Sequence, residues 1–362
     1  MKSTALLVLL AALVACSPVG GDRYSRKQAQ KSLKKLETPG VVLGEFRVTK
    51  VTDGDTVRVD GLDASLRLLG MDSEETFKSE SDRRAVEASW EQYLKDKKGT
   101  SNRPIKAASP MGEVGKDWAV QWFDGVGKVR VERDHPAEIR DRFNRYLAYV
   151  FAQKNGIWLN YNVEAVRAGM SPYFAKYGYS RRFHNEFVAA QDEARNGKRG
   201  IWAPGALAYP DYAEREAWWN ARGAFMEAFR NAGKDKANYI DLTHWDAMRR
   251  LEEHVGKEVH VISTVSEVRI GERGPSRVTL SHRMFNDFPL IFFDKDVLGT
   301  SGITEWKSEF IVVTGVPTFY ESKQTKKKQL QIMVDRASQI KLSPVPGLVA
   351  PSLTTTTTTA SP

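Results

Sequence analysis

The stretch from Val51 to Glu75, VTDGDTVRVDGLDASLRLLGMDSEE, constrains the fold more than any other part of the chain. It reads as short β-strands, yet it carries seven acidic residues and two arginines. Acids are poor strand formers and are rarely buried without a partner. Residues 46–51 and 56–60 alternate apolar and polar side chains, and 65–71 gives a third strand signal. DGLDA between the last two is a hairpin turn. A meander of this kind must therefore hold its acids at strand ends, facing something positively charged.

The following sequence supplies the rest of a small domain. Val114, Trp118 and Trp122 repeat at helical spacing over 112–123, and 128–133 and 145–151 read as two further strands. Residues 160–169 and 181–202 are helical in pattern, with Gly197 placed to end the latter. Five short strands with three helices suit a closed OB-like barrel packed against helices, an α+β, mainly β architecture. Asp55 closes the first turn and Asp72 ends the third strand, seventeen residues later. Antiparallel neighbours lie about 4.8 Å apart, so both carboxylates can share one rim, a hard oxygen site suited to calcium rather than zinc. Glu75 reaches the same mouth. Arg67, between Leu66 and Leu68, faces away from those leucines and can fork onto a phosphate. Arg145 opens the strand RYLAYVF and offers a second fork.

Residues 44–204 resemble the thermonuclease, or staphylococcal nuclease, family through VTDGDTVRV, LRLLGMDSEE, DRFNRYLAYVF, NVEAVRAGM and ARNGKRGIWAP. The resemblance implies a calcium-dependent phosphodiesterase that cuts DNA and RNA to 3′-phosphates. On the matching positions, Asp55 and Asp72 would be calcium ligands, with the Ser73 carbonyl a third. Glu75 would be general base or water orienter, and Arg67 and Arg145 would hold the scissile phosphate. Arg142 and Tyr177 are the substrate-binding candidates. Glu74 stands where the family has proline, which puts an extra acid beside the metal. Residues 77–110 are an insertion relative to the simplest members, read either as a packed surface helix (Val86, Trp90, Leu94) or as a basic arm shaping substrate access.

The chain of 362 residues has room for more. Residues 255–342 show five strand signals and are read as a second OB-like barrel. Its aromatics (Phe285, Phe292, Trp306, Tyr320) and the run KQTKKK are either core and a solvated hairpin tip or a surface for single strands. Residues 205–254 form a helical linker, and 343–362, rich in proline and threonine, a disordered tail. With a single cysteine, Cys16, no intramolecular disulfide framework or thiolate metal cluster is possible. MKSTALLVLLAALVAC reads as a secretory signal over 1–15, with Cys16 placed for lipidation and 16–43 as a tether. The expected location is the cell envelope, exported and held to a membrane by lipid. A formal net charge of +9 favours a polyanionic partner, DNA and/or RNA, and no protein partner is implied. The alternative is a noncatalytic nucleic-acid-binding envelope lipoprotein built on the same barrel.

Overall fold

The computed structural model describes residues 40–141, 143–281, 288–321, 326 and 328–348. Cys16, Arg142, Phe285 and most of KQTKKK lie outside the described residues.

The first strand is long and bent at Arg47, giving β1 (Val42–Phe46) and β2 (Val48–Asp53). β2 pairs with β3 (Thr56–Val59), and β3 with β4 (Leu66–Leu68), both antiparallel. The chain then forms α1 (Glu80–Ala88), α2 (Trp90–Lys98) and α3 (Pro110–Phe123). β5 (Val129–Glu132) pairs with β1, and β6 (Tyr146–Lys154) lies between β5 and β4, parallel to β4. Because β1 and β2 are one bent strand, this order closes into a five-stranded OB-like barrel. β7 (Ile157–Asn160) adds to β6, and α4 (Tyr161–Arg167) and α5 (His184–Asn196) cover the outside. Three of these five helices are the ones expected, and α1 and α2 are the insertion. Val57, Leu66, Leu68, Val131, Ala148 and Val150 fill the barrel.

One helix was expected across Val86, Trp90 and Leu94, but the structure breaks it at Ser89. That residue is extended (φ −165°, ψ 112°), ends α1, and caps α2 by accepting from the Gln92 N–H. The apolar face continues across the break, with Val86 and Tyr93 buried against Tyr209 and Tyr212.

The second unit repeats the first barrel's connectivity. After α6 (Tyr212–Ala232), β8 (Tyr239–Asp241) and α7 (Ala247–Glu253), the strands β9 (Val259–Arg269), β10 (Ser276–Ser281) and β11 (Phe288–Phe292) form an antiparallel meander. α8 (Lys295–Thr300) follows, as helices follow β4 in the first barrel. β12 (Phe310–Gly315) and β13 (Pro317–Glu321) are one strand bent around Val316. β12 pairs with β9, and β13 pairs with β14 (Lys328–Met333), which runs parallel to β11. A side chain at Gly315 would meet Ile332 at 2.5 Å, so the bend needs glycine. β8 and β15 (Ile340–Leu342) extend the sheet beyond the five strands expected. Phe292 and Trp306 are core, whereas Tyr320 is exposed.

Residues 205–254 do not hang free between the barrels. Trp218, Trp219, Ile240 and Leu242 join the second core, and Phe225, Met226 and Phe229 pack on Ile262 and Phe310. Glu309, fully buried at the start of β12, accepts from Arg222 Nη1 (2.6 Å), from Arg103 Nη1 of the insertion (2.6 Å) and from Trp218 Nε1 (3.2 Å). No helix among the described residues is long and apolar enough to cross a membrane.

The other junction pairs His135 with His244, rings 4.7 Å apart and 14° from parallel. Burial, with His244 and Arg181 adding to it, lowers the His135 pKa to about 4. The unfolded imidazole, near its ordinary 6.5, takes up its proton first as pH falls. The stabilisation from a neutral His135 is thus complete above pH 6.5 and is lost progressively towards pH 4. The melting midpoint is expected to fall across that window, and to fall less in His135→Gln. An unchanged slope in the variant would remove His135 as the cause.

Candidate nuclease site

The rim is built where β2, β3 and β4 turn. Thr56 pairs with Arg67 across β3 and β4, and the Asp55 carbonyl accepts from Leu68 N at 2.9 Å. Gly54 permits the closeness of the turn, since a Cβ there would lie 2.8 Å from Ser73 Cβ. The Gly54 carbonyl accepts from the buried Tyr161 hydroxyl at 2.8 Å. On the far side Asp72 N donates to Ser171 Oγ (2.8 Å), fixing the loop after β4.

These constraints bring the expected residues together. The Arg67 guanidinium bridges the two acids, Nη1 on Asp55 and Nη2 on Asp72, and also donates to the Met71 carbonyl (3.3 Å). Leu66 and Leu68 point into the core, so strand alternation sends Arg67 to the rim as the sequence implied. Burial disfavours the Asp55 charge, but Arg67 and then Lys106 outweigh it and hold the carboxyl down at about 2. Asp53 is pushed up to about 7 by burial and by Asp55 beside it. Arg67 stays charged because Asp55 and Asp72 outweigh the burial that opposes it.

Glu75 stands at the same mouth, part exposed, with Lys106 Nζ 3.7 Å from Oε1 and Lys78 Nζ 3.5 Å from Oε2. Its carbonyl accepts from Ser109 N at 2.9 Å, which ties it to the start of α3. Glu74 does not add charge beside the metal position, as its place in the motif suggested. It is buried and accepts from Ser109 Oγ, from Tyr209 N (2.7 Å) and from the Tyr212 hydroxyl (2.7 Å). Burial raises its pKa. Glu74 thus locks the loop that carries Glu75 onto the insertion and α6, replacing a proline's stiffness with hydrogen bonds.

Other candidates lie further out. Arg145 precedes β6 on the same face as Arg67, two residues before Leu147, which pairs with Arg67. Its guanidinium is turned onto Asp141 (Nε 2.8 Å, Nη2 2.7 Å) rather than onto the rim acids. Tyr177 is exposed, edge-on to Phe174, with the Arg222 guanidinium 5.9 Å from its ring centre.

Two lysines were missed. Lys106 Nζ lies 2.6 Å from Asp72 Oδ1. Lys176 sits 4.5 Å from the Trp218 ring, and burial, then Arg222, brings its pKa down to about 8. Nothing local in the sequence ties Lys106 to an acid 34 positions away. Also missed was a cluster of His135, Glu138 and His244, whose possible ligand atoms lie within 4.8 Å of one another. Glu138 is already met by Arg181 (3.0 Å) and Arg230 (3.7 Å), and His135 Nδ1 accepts from Ala137 N (3.1 Å), so these groups work as a junction.

The donor set at the rim fits a hard divalent cation. Asp53, Asp55, Asp72 and Glu75 face Arg67 and Lys106, with the exposed Lys78 also near Glu75, and the buried Ser73 Oγ has no hydrogen-bond partner. Carboxylates and an oxygen of this kind are calcium donors.

Comparisons with known proteins match the first barrel. The family model described as staphylococcal nuclease homologue matches residues 65–204. An uncharacterized protein of Methanocaldococcus jannaschii is 30% identical over 164 residues, covering 43% of this chain and 70% of that protein. The thermonuclease of Staphylococcus hyicus is 28% identical over 163 residues, 44% of this chain and 75% of its own length. That of Staphylococcus intermedius is 27% identical over 209 residues, 55% and 96% respectively. With the barrel, the Arg67 bridge and these relatives in agreement, the chain belongs to the staphylococcal nuclease family.

Proposed function

We propose that the chain is an exported, membrane-anchored, calcium-dependent nuclease that hydrolyses phosphodiester bonds of DNA and/or RNA to 3′-phosphate products. The observation that carries the nuclease reading is Arg67 held between Asp55 and Asp72, with Glu75 at the same mouth. The export and anchoring part rests on the leader-like 1–15 and on Cys16 alone.

A phosphodiester is already anionic and repels an attacking oxygen. Asp55, Asp72 and the Ser73 carbonyl would hold calcium, which when bound would supply positive field and lower the cost of the added charge. Arg67 turns its fork from the carboxylates towards the phosphate and stabilises the charge that grows on its oxygens. Glu75 orients a water and takes its proton; a carboxylate is a weak base, so positioning contributes most. The water oxygen bonds to phosphorus, the bond to the 5′-oxygen breaks, and a solvent proton goes to that oxygen. Arg145 joins the phosphate after leaving Asp141.

A second reading, noncatalytic nucleic-acid binding, draws support from one observation: Asp72 is already met by two side-chain cations. Cleavage of single- and double-stranded DNA and RNA, measured with calcium and with EDTA, decides between them. The nuclease reading expects calcium-dependent cleavage ending in 3′-phosphates. Tight binding without cleavage under any divalent ion would favour the second.

A further inference from the structure

We propose that Lys106 is a tethered competitor for the divalent cation at this rim, and that it sets the cation concentration at which the site fills. This rests on the nuclease reading above. The Lys106 ammonium lies 2.6 Å from Asp72 Oδ1 and 3.7 Å from Glu75 Oε1, between a candidate ligand and the candidate base. Calcium bound to Asp72 would sit about 2.3–2.6 Å from its oxygen. It would then lie within a few ångströms of the ammonium, where like charges repel strongly. The two cations therefore exclude one another.

The lysine is delivered by a built clamp and not by a loose arm. On one side of it the Ile105 carbonyl accepts from the buried Arg215. On the other, Ala107 N donates to the buried Tyr209 hydroxyl (3.0 Å), which donates back to the Ala107 carbonyl. Two residues on, Ser109 N is bonded to the Glu75 carbonyl. The backbone at Lys106 is thus fixed beside the rim by residues that also hold Glu74. The side chain itself is 45% exposed, so its four-carbon stem can swing into water when a cation enters. A tethered charge of this sort acts at high effective concentration and is always present. Lys78, which also approaches Glu75, is 81% exposed and does not touch Asp72, so it makes a useful control.

Calcium titration calorimetry on the DNA-free protein at fixed ionic strength tests this. Lys106→Met, which keeps the stem and removes the charge, is expected to bind calcium at least about tenfold more tightly than wild type. Lys106→Arg and Lys78→Met are expected to stay close to wild type. Equal or weaker binding by Lys106→Met, when wild type binds, overturns the role of Lys106 and leaves the nuclease reading standing. Absence of binding in both proteins overturns the calcium site and this inference together.

Discussion

Replacing Arg67 with alanine is expected to lower the rate of DNA cleavage about a thousandfold, without unfolding the barrel. Removing one preorganised donor to a developing oxyanion typically costs about 10²–10³ in rate, and Arg67 offers two charged ones. A second effect adds to the first. Asp55 and Asp72 are both buried and both met by this guanidinium, so alanine leaves two carboxylates close together with only Lys106 between them. The Asp55 carboxyl, held at about 2 chiefly by Arg67 against burial, then moves upward. Arg67→Lys keeps a charge but not the fork, and is expected to restore only a small part of the rate. Initial rates on a labelled oligonucleotide, read beside a thermal melt, check this. A folded Arg67→Ala protein cutting within tenfold of wild type would remove Arg67 from the chemistry.

Glu309→Ala is expected to cost about 3–5 kcal/mol of stability, the usual penalty for breaking a buried ion pair by removing one partner. The penalty arises from what remains. Arg222 is fully buried, packed against Phe310 and Trp218, and its other close polar partners are the Lys176 and Ser308 carbonyls. Trp218 Nε1 and Arg103 lose their acceptor in the same step. The exposed pair Arg249–Glu253 on α7 is the contrast, and Glu253→Ala should change stability by less than about 0.5 kcal/mol. Urea melts of both variants measure the difference. Since Glu309 joins the insertion, α6 and the second barrel, a loss below about 1 kcal/mol would mean that these contacts do not hold the two barrels together.

The first barrel was legible because its signals are local. Arg67 between Leu66 and Leu68 announces a strand with one buried face, and Leu66 and Leu68 are buried as that pattern requires. Asp55, Asp72 and Glu75 stand close together in sequence and at one rim in space. What stayed hidden depends on distant partners. The direction of Glu74 is set by Ser109, Tyr209 and Tyr212, as far as 138 positions away. Lys106 carries no motif, and its clamp comes from residues beyond 200. Helical periodicity across Val86, Trp90 and Leu94 found the packed face, though Tyr93 is its buried residue in α2, and missed the break, because Ser89 caps in the middle of it. β8 is three residues long and pairs in parallel with β9, a non-local contact that periodicity cannot register. The partner of Arg145 was nearer to hand: Asp141 lies four residues earlier, across a turn in which Asn144 takes a left-handed φ of 67°.

The proposed function is a calcium-dependent nuclease built on the acids and arginine of this rim. It is tested most directly by the rate of single-stranded DNA cleavage by the purified protein as calcium is added and then removed with EDTA. Cleavage is expected to appear with calcium, to end in 3′-phosphates, and to disappear in EDTA. Full activity in EDTA, or DNA bound and left intact at every calcium concentration, would contradict it.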